Sequence, residues 1–516
     1  MTTETRHEAP SSREDQSEPK KYRSNVRPAP YRIPTAPPIA WAPGNSKRRA
    51  WLSRMVLAGL LLMQAILTLR LRNSVYPGET AILPSNGGFH GGTSLYPALS
   101  EALQGGIGVQ GMRTLSLVFM ICATGLLYSV ATRLFNERVG LAAAGAYSVI
   151  APVLVAGALA TEDALAVCLL AGTLWLVVLS RGGQAWPLFA AAPVAILAVA
   201  VKYGTVFYLP WVLLLAILVS VRHTSAGQAF LRSSGLLLAL LVGAVLYVTG
   251  SADAPATVPV GDLAVGWFHW LGTFFAFGLF GAGFYVWKAR MGEVPVGADP
   301  EPGRGWRVAL SAAFLLPVAL APLLLMGSAF DDRLWRLQFA FAGLLGATMA
   351  GVGLVRMIGR HFRFPQVGII AGVALLALGM AQSEYEYSLW PNYENVASVL
   401  DQTVKPEDRY LATDPASFST YMKKYRPAQW TPIADVVTKD LDAGGQNEIK
   451  AVLRKRTYEM IVVQLPTVSP ADKALLEQLR AGTGDYRVLT GVPFRLGWTE
   501  GTHQLWVKNL ARPSAP

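Results

Sequence analysis

Side chains able to move a proton or hold an anion are few in this chain, and they fall in short stretches between apolar runs. Asn73-Ser-Val-Tyr-Pro-Gly78-Glu79-Thr and Phe89-His90-Gly-Gly-Thr-Ser-Leu-Tyr96-Pro97 occupy one long loop, residues 70 to 113, whose only acids are Glu79 and Glu101. A carboxylate just beyond a membrane helix end, partly removed from water, has its pKa raised and can take a proton from a hydroxyl. The plain alternative is a solvated loop acid. His90 is the one histidine in that loop.

Three further stretches carry charge. Ala160-Thr161-Glu162-Asp163-Ala164 sets two acids in a very short loop. Thr161 can cap the helix that follows, with both acids favoured by its dipole, or one acid can face a cavity beside Glu79 and bind a metal, an acceptor hydroxyl or a basic partner. Lys202, in Ala198-Val-Ala-Val-Lys202-Tyr203-Gly204, interrupts two apolar runs. An ionisable group at that depth is costly and suits an anionic phosphate, whereas the alternative is a lysine snorkelling to the interface. Ser328-Ala-Phe-Asp331-Asp332-Arg333-Leu-Trp335-Arg336 offers two arginines that can clamp a phosphate or pair internally with the aspartates.

Other patterns carry less. Gly106-Ile-Gly108-Val-Gln-Gly111 spells GxGxxG but leads into a membrane helix, without the strand that a dinucleotide site requires. Gly278, Gly281 and Gly283 lie in an apolar span and read as close helix packing. The six histidines have no metal-ligand spacing, and Cys122 and Cys168 sit in apolar segments, as core residues and not as a disulfide.

The elements that must position these groups are membrane helices. The 516 residues are 52% hydrophobic and 15% charged, with mean hydropathy +0.35, which excludes an ordinary soluble enzyme. A span needs about 20 apolar residues. Eleven stretches qualify, at 51–69, 114–132, 139–158, 164–180, 186–201, 203–221, 235–250, 266–287, 307–327, 337–355 and 366–382. Residues 1–50 hold eight prolines and ten basic residues against five acids, and read as a disordered basic cytoplasmic tail. With that tail inside, inner loops carry twelve Lys or Arg and the outer side six: Arg70, Arg72, Arg113, Lys202, Arg333 and Arg336. The bias puts the C-terminus outside. The net charge of +12 is spread along loops with no basic, aromatic-interleaved groove, which argues against nucleic acid as a partner.

From residue 383 charge returns. Short β-rich runs (Arg409–Thr413, Met460–Gln464, Tyr486–Leu489, Gln504–Val507) alternate with helical patterns such as Pro470–Ala481, giving a small extracytoplasmic α/β domain over 383–516. In it Tyr410 to Pro415 and Trp430 read as core and turn residues.

In these stretches the chain resembles bacterial members of the dolichyl-phosphate-mannose protein mannosyltransferase-like group, glycosyltransferase family 39, and the related lipid A aminoarabinose transferases, all of the GT-C fold. The resemblance is carried by Leu71-Arg-Asn-Ser to Glu79-Thr, Leu95-Tyr-Pro-Ala-Leu, Ala160-Thr-Glu-Asp163-Ala-Leu-Ala, Val201-Lys202-Tyr203 and Trp390-Pro-Asn, in that order over about residues 50–400. It implies an all-α polytopic bundle of about eleven spans (51–382) in the plasma membrane. The implied reaction moves a sugar from a polyprenyl-phosphate donor to an extracytoplasmic hydroxyl on a protein, lipid or polysaccharide, with inversion. By the same likeness Lys202 contacts the donor phosphate, helped by Arg333 or Arg336; Asp163 is the second outer-loop acid; and His90, Tyr96, Glu162 and Tyr203 are further pocket candidates. The family's first-loop Asp-Glu pair is Gly78-Glu79 here, its Lys-His pair before a late span is Arg336-Leu337, and the arginine that the aminoarabinose enzymes have near this acid is missing from the loop. Glu79 can substitute for the Asp by its longer reach, or Asp163 can act. The resemblance assigns no cofactor and leaves a divalent metal beside the acids open. Two rival classes are a catalytically silent GT-C-fold scaffold that binds lipid-linked sugar and, disfavoured by the lack of internal repeats, a transporter.

Overall fold

The computed structural model describes residues 46–71, 79, 95–180, 184–222, 224–250, 260–287, 303–326, 335–358, 366–388, 393–413, 415, 418, 421–437, 445–467, 470–481, 485–496 and 499–509. Residues 1–45 of the expected tail 1–50, and with them Gly78, His90, Arg333 and Trp390, lie outside the described residues, whereas 46–50 are helical and open α1, against the expectation of disorder.

The membrane part is all-helical: α1 (Ser46–Arg70), α2 (Leu95–Leu134), α3 (Glu137–Val149), α4 (Ala151–Ala158), α5 (Glu162–Leu179), α6 (Trp186–Val201), α7 (Leu209–Val221), α8 (Ala226–Arg232), α9 (Ser234–Gly250), α10 (Val260–Trp267), α11 (Thr273–Trp287), α12 (Arg304–Ala319), α13 (Ala321–Met326), α14 (Phe339–Ile358) and α15 (Gln366–Ser388). All eleven apolar stretches are helical, but they are not eleven unbroken spans. Among the described residues seven helices are long and apolar enough to cross a membrane, or nine if two bent pairs count as one span each. The α3–α4 pair bends by 63°. Ile150 there is extended, and Pro152, with no amide hydrogen to give, stands in the first turn of α4. The run at 186–201 is a shorter apolar helix of 16 residues, and 307–327 divides between α12 and α13 at Leu320.

Burial orders the bundle. In α14, 83% of the apolar window is buried inside the protein, against 17% for α1 and 28% for α15, so α14 is the axis and the others face lipid. The α11–α14 contact is a glycine seam. A Cβ on Gly281 would fall 2.1 Å from the Met349 carbonyl oxygen and one on Gly353 2.5 Å from that of Phe277, so the two backbones approach as no larger residue permits. Gly281 thus behaves as expected, whereas Gly283 has open space around it. Cys122 is exposed on the flank of α2 and is not a core residue; Cys168 packs partly buried against the core.

The C-terminal unit begins with α16 (Glu394–Thr403) and forms a five-stranded sheet in the order β2-β1-β3-β5-β4. Its strands are β1 (Tyr410–Ala412), β2 (Trp430–Pro432), β3 (Met460–Leu465), β4 (Tyr486–Leu496) and β5 (Thr499–Lys508). Strands β2, β1 and β3 run parallel, and β5 and β4 close the sheet antiparallel. Helices α17 (Gln446–Lys455) and α18 (Pro470–Arg480) complete it. Alternation along β3 explains its two faces. Met460 and Val462 join Tyr393, Leu400, Phe418 and Trp430 in one core, while Ile461 and Val463 join Leu453, Leu475 and Trp506 in the other. The residues Tyr410 and Trp430 are therefore core.

Candidate active site

Glu79 is fully buried and accepts three hydrogen bonds. Arg113 Nε donates to Oε1 and Arg113 Nη2 to Oε2, both at 2.8 Å, and the Ala160 amide donates to Oε1 at 2.9 Å. Arg113, also fully buried, stands on α2 five residues after Gly108, whose φ of 62° breaks the helical geometry inside α2. A forked guanidinium on a carboxylate is the arrangement that can keep both charges out of water. The arginine that pairs with this acid comes from α2 and not from the stretch around Glu79. Sequence reasoning had placed Arg113 only among the outer charges. The signal that could have found it was a lone arginine entering an apolar run with no acid near it in sequence.

The Ala160 amide leads directly into the second cluster. Leu159 and Thr161 are extended, with φ of −103° and −122°, so α5 starts at Glu162. Thr161 takes the capping position, but its side chain makes no cap hydrogen bond, contrary to expectation. On the facing element α6 stops at Val201 and Lys202 is extended, before a 3-10 turn over Tyr203–Tyr208 and Pro210 in the first turn of α7. That break turns the Lys202 ammonium to α5. Its Nζ donates to Glu162 Oε1 at 3.1 Å and lies 2.8 Å from Asp163 Oδ1, and the Lys202 and Asp163 side chains are 10% and 1% exposed. One cation therefore serves two adjacent carboxylates at a nearly dry site.

Tyr96 joins the two clusters. Its phenol is buried, which pushes its pKa well above the ordinary tyrosine range; the carboxylates of Glu162, Asp163 and Glu79 push it the same way, while Ser116, hydrogen-bonded to it, opposes them. Glu79, Asp163, Glu162, Lys202 and Tyr96, spread over 124 positions of sequence, thus meet in one place. The Tyr203 ring packs against Gly250 at the end of α9. Arg336 is engaged elsewhere. It pairs with Glu386 of α15 at 2.7 Å, with its guanidinium 5.5 Å from the Trp335 ring. His90 and Arg333 lie outside the described residues. Among the described residues no three His, Cys, Asp or Glu side chains stand together as a metal site. Glu162 and Asp163 share Lys202 instead.

A bent helical bundle with a small α/β unit after its last helix is a fold shared with solved structures. ArnT from Cupriavidus metallidurans bound to undecaprenyl phosphate superposes with TM-score 0.51 at 14% identity, over 90% of this chain and 99% of that one. In the apo state the values are 0.50 and 13%, with the same coverage. An Archaeoglobus fulgidus oligosaccharyltransferase tethered to an acceptor peptide gives 0.49 at 12%, over 80% of this chain and 70% of that one. By sequence, residues 95–248 match the family described as dolichyl-phosphate-mannose-protein mannosyltransferase, the segment that holds Tyr96, Arg113, Glu162, Asp163 and Lys202. The chain is a multi-pass membrane protein that shares the fold of the ArnT structures, and its residues 95–248 are similar to that mannosyltransferase family. No curated protein sequence matches it.

Proposed function

We propose that the chain is a glycosyltransferase that takes a sugar from a polyprenyl-phosphate donor and passes it, with inversion, to a hydroxyl of a protein, lipid or polysaccharide outside the cytoplasm. The observation that carries this reading is Lys202 held between Glu162 and Asp163 at a break between apolar helices. An ammonium so placed suits the phosphate of a lipid whose tail lies along the bundle. The phosphate competes with the carboxylates for Lys202, and its arrival frees Asp163 from the ion pair. The acceptor oxygen then attacks the anomeric carbon, its proton passes to Asp163, and the C–O bond to phosphate breaks with its electrons on the departing polyprenyl phosphate, which Lys202 stabilises. A base and a charge stabiliser typically contribute 10²-fold or more each. Glu79 is a positioning residue in this scheme, because Arg113 and the Ala160 amide already occupy both its oxygens.

The reading places the N-terminus in the cytoplasm, the C-terminal unit outside, and the protein in the plasma membrane, all checkable by reporter fusions. A divalent metal, left open by the sequence, has no three-ligand cluster among the described residues, and no step is routed through it. One observation favours the second reading, a silent scaffold that binds lipid-linked sugar: the family's Asp is Gly78, and Glu79 is saturated. Purified protein in nanodiscs with polyprenyl-phosphate mannose and cell-envelope acceptor should release polyprenyl phosphate, with D163N and K202A each slower by about 10² or more. An inactive wild type that gains activity as G78D establishes the scaffold. Full activity in D163N and K202A discards the site.

A further inference from the structure

Outside the bundle, one pocket gathers charge that the transfer chemistry does not use. It lies in the C-terminal unit where the turn after α16 meets the segment leading to β2, and is lined by Val404, Pro406, Lys423, Lys424, Tyr425 and Arg426 around about 240 Å³. That falls just below the roughly 300 Å³ at which sites for drug-sized ligands begin, which suits a headgroup or a single substituted sugar. Lys423, Lys424 and Arg426 are exposed, and none of the three makes an ion pair among the described residues.

The segment that carries them is fixed in place. Asp401 on α16 accepts the backbone amides of Lys423 and Lys424 at 3.0 and 3.1 Å. The Tyr425 ring lies nearly parallel to that of Trp430, 14° between planes and 6.1 Å between centroids, and Trp430 belongs to the sheet core. The Arg426 carbonyl accepts the Gln429 amide at 3.0 Å. Asp401 spends its oxygens on these amides, and the nearby Asp408 faces the Tyr410 hydroxyl at 3.4 Å. Three like charges on a held segment repel one another, and none of them has an ion-pair partner among the described residues to offset it. An anion relieves that repulsion, and a phosphate has enough oxygens to accept from all three cations at once.

We infer that this pocket is a binding site for a phosphate group carried on a small polar headgroup, set on the α/β unit apart from the bundle's acid–lysine cluster. The inference is independent of the transferase reading. Two sources share the chemistry, a soluble sugar phosphate and an anionic lipid headgroup.

The test uses the full chain in phosphatidylcholine nanodiscs, titrated with inorganic phosphate and with glucose 6-phosphate, and in parallel the chain in phosphatidylglycerol nanodiscs. Hydrogen exchange of residues 421–426 is the readout, so that phosphate reaching Lys202 is not counted. Saturable protection by phosphate and glucose 6-phosphate, weakened at least tenfold in K423Q/K424Q/R426Q and by 0.5 M salt but kept in K423R/K424R, supports a soluble ligand. Protection only in phosphatidylglycerol, lost in the same triple variant, supports the lipid. The side chains are exposed, so the variants should melt like wild type. Protection unchanged in the triple variant, or no protection with any of the three probes, overturns the inference.

Discussion

At the residue scale, the Glu79–Arg113 pair is the most exacting contact in the bundle. Both side chains are fully out of water, so removing one strands the other as an uncompensated charge, which typically costs about 3–5 kcal/mol. E79Q and R113A should each melt far below wild type in detergent. The double variant E79M/R113M should recover most of that loss, because two apolar side chains replace both charges together. A double variant no more stable than either single one would show that the pair does more than satisfy itself. That Glu79, Asp163, Glu162, Lys202 and Tyr96 are candidates for one site was legible in the sequence, because each polar residue stood out against apolar surroundings. The partner of Glu79 was not. Arg113 lies 34 positions away on the far side of a long loop, and spacing holds no information about which distant charge a fold brings home.

At the element scale, helix existence was legible and helix continuity was not. Hydropathy marks where backbone must be helical in lipid, so every expected stretch is helical. Hydropathy is silent about whether the axis continues, which depends on Pro152 against the end of α3 and on the extended Lys202. Gly281 tests the seam that sets the α11–α14 distance. Leu at this position pushes a side chain against the Met349 carbonyl and the Gly353 amide, backbone that cannot step aside, and G281L should destabilise by about 3 kcal/mol in thermal melts. The change G283L faces open space and should melt like wild type. Gly108 has room for a Cβ but sits at φ 62° and ψ −177°, a region that essentially only glycine adopts, so G108A should cost the backbone penalty alone, about 1–3 kcal/mol. A larger loss would mean that the bend also aims Arg113.

At the scale of the whole molecule, the sheet unit carries a pH dependence of its own. His503 on β5 is 3% exposed, with the Phe494 ring 4.2 Å and the Tyr393 ring 5.6 Å away, and burial pulls its pKa down to about 4. The unfolded imidazole, near 6.5, takes up a proton that the folded one refuses. The stability of this unit is therefore complete above about pH 6.5 and falls as pH drops to about 4, by up to a few kcal/mol. Amide exchange along β5, corrected for its intrinsic rate, should accelerate over that window in wild type and much less in H503F. The two-faced sheet was legible from the alternation in Met460–Val463, and the parallel order β2-β1-β3 was not, because it depends on crossovers that periodicity does not record.

The strand order leaves β4, eleven residues long, at a border of the sheet with Val488 and Leu489 open to solvent. Such a border invites the same strand of a neighbouring molecule to stitch on, and crowding in a membrane plane multiplies the encounters. The ladder to β5 slips register between Val488 and Thr490, Pro493 brings a position with no amide to offer, and Arg487 adds a charge to the rim. These three irregularities keep densely packed copies from zipping into one continuous sheet.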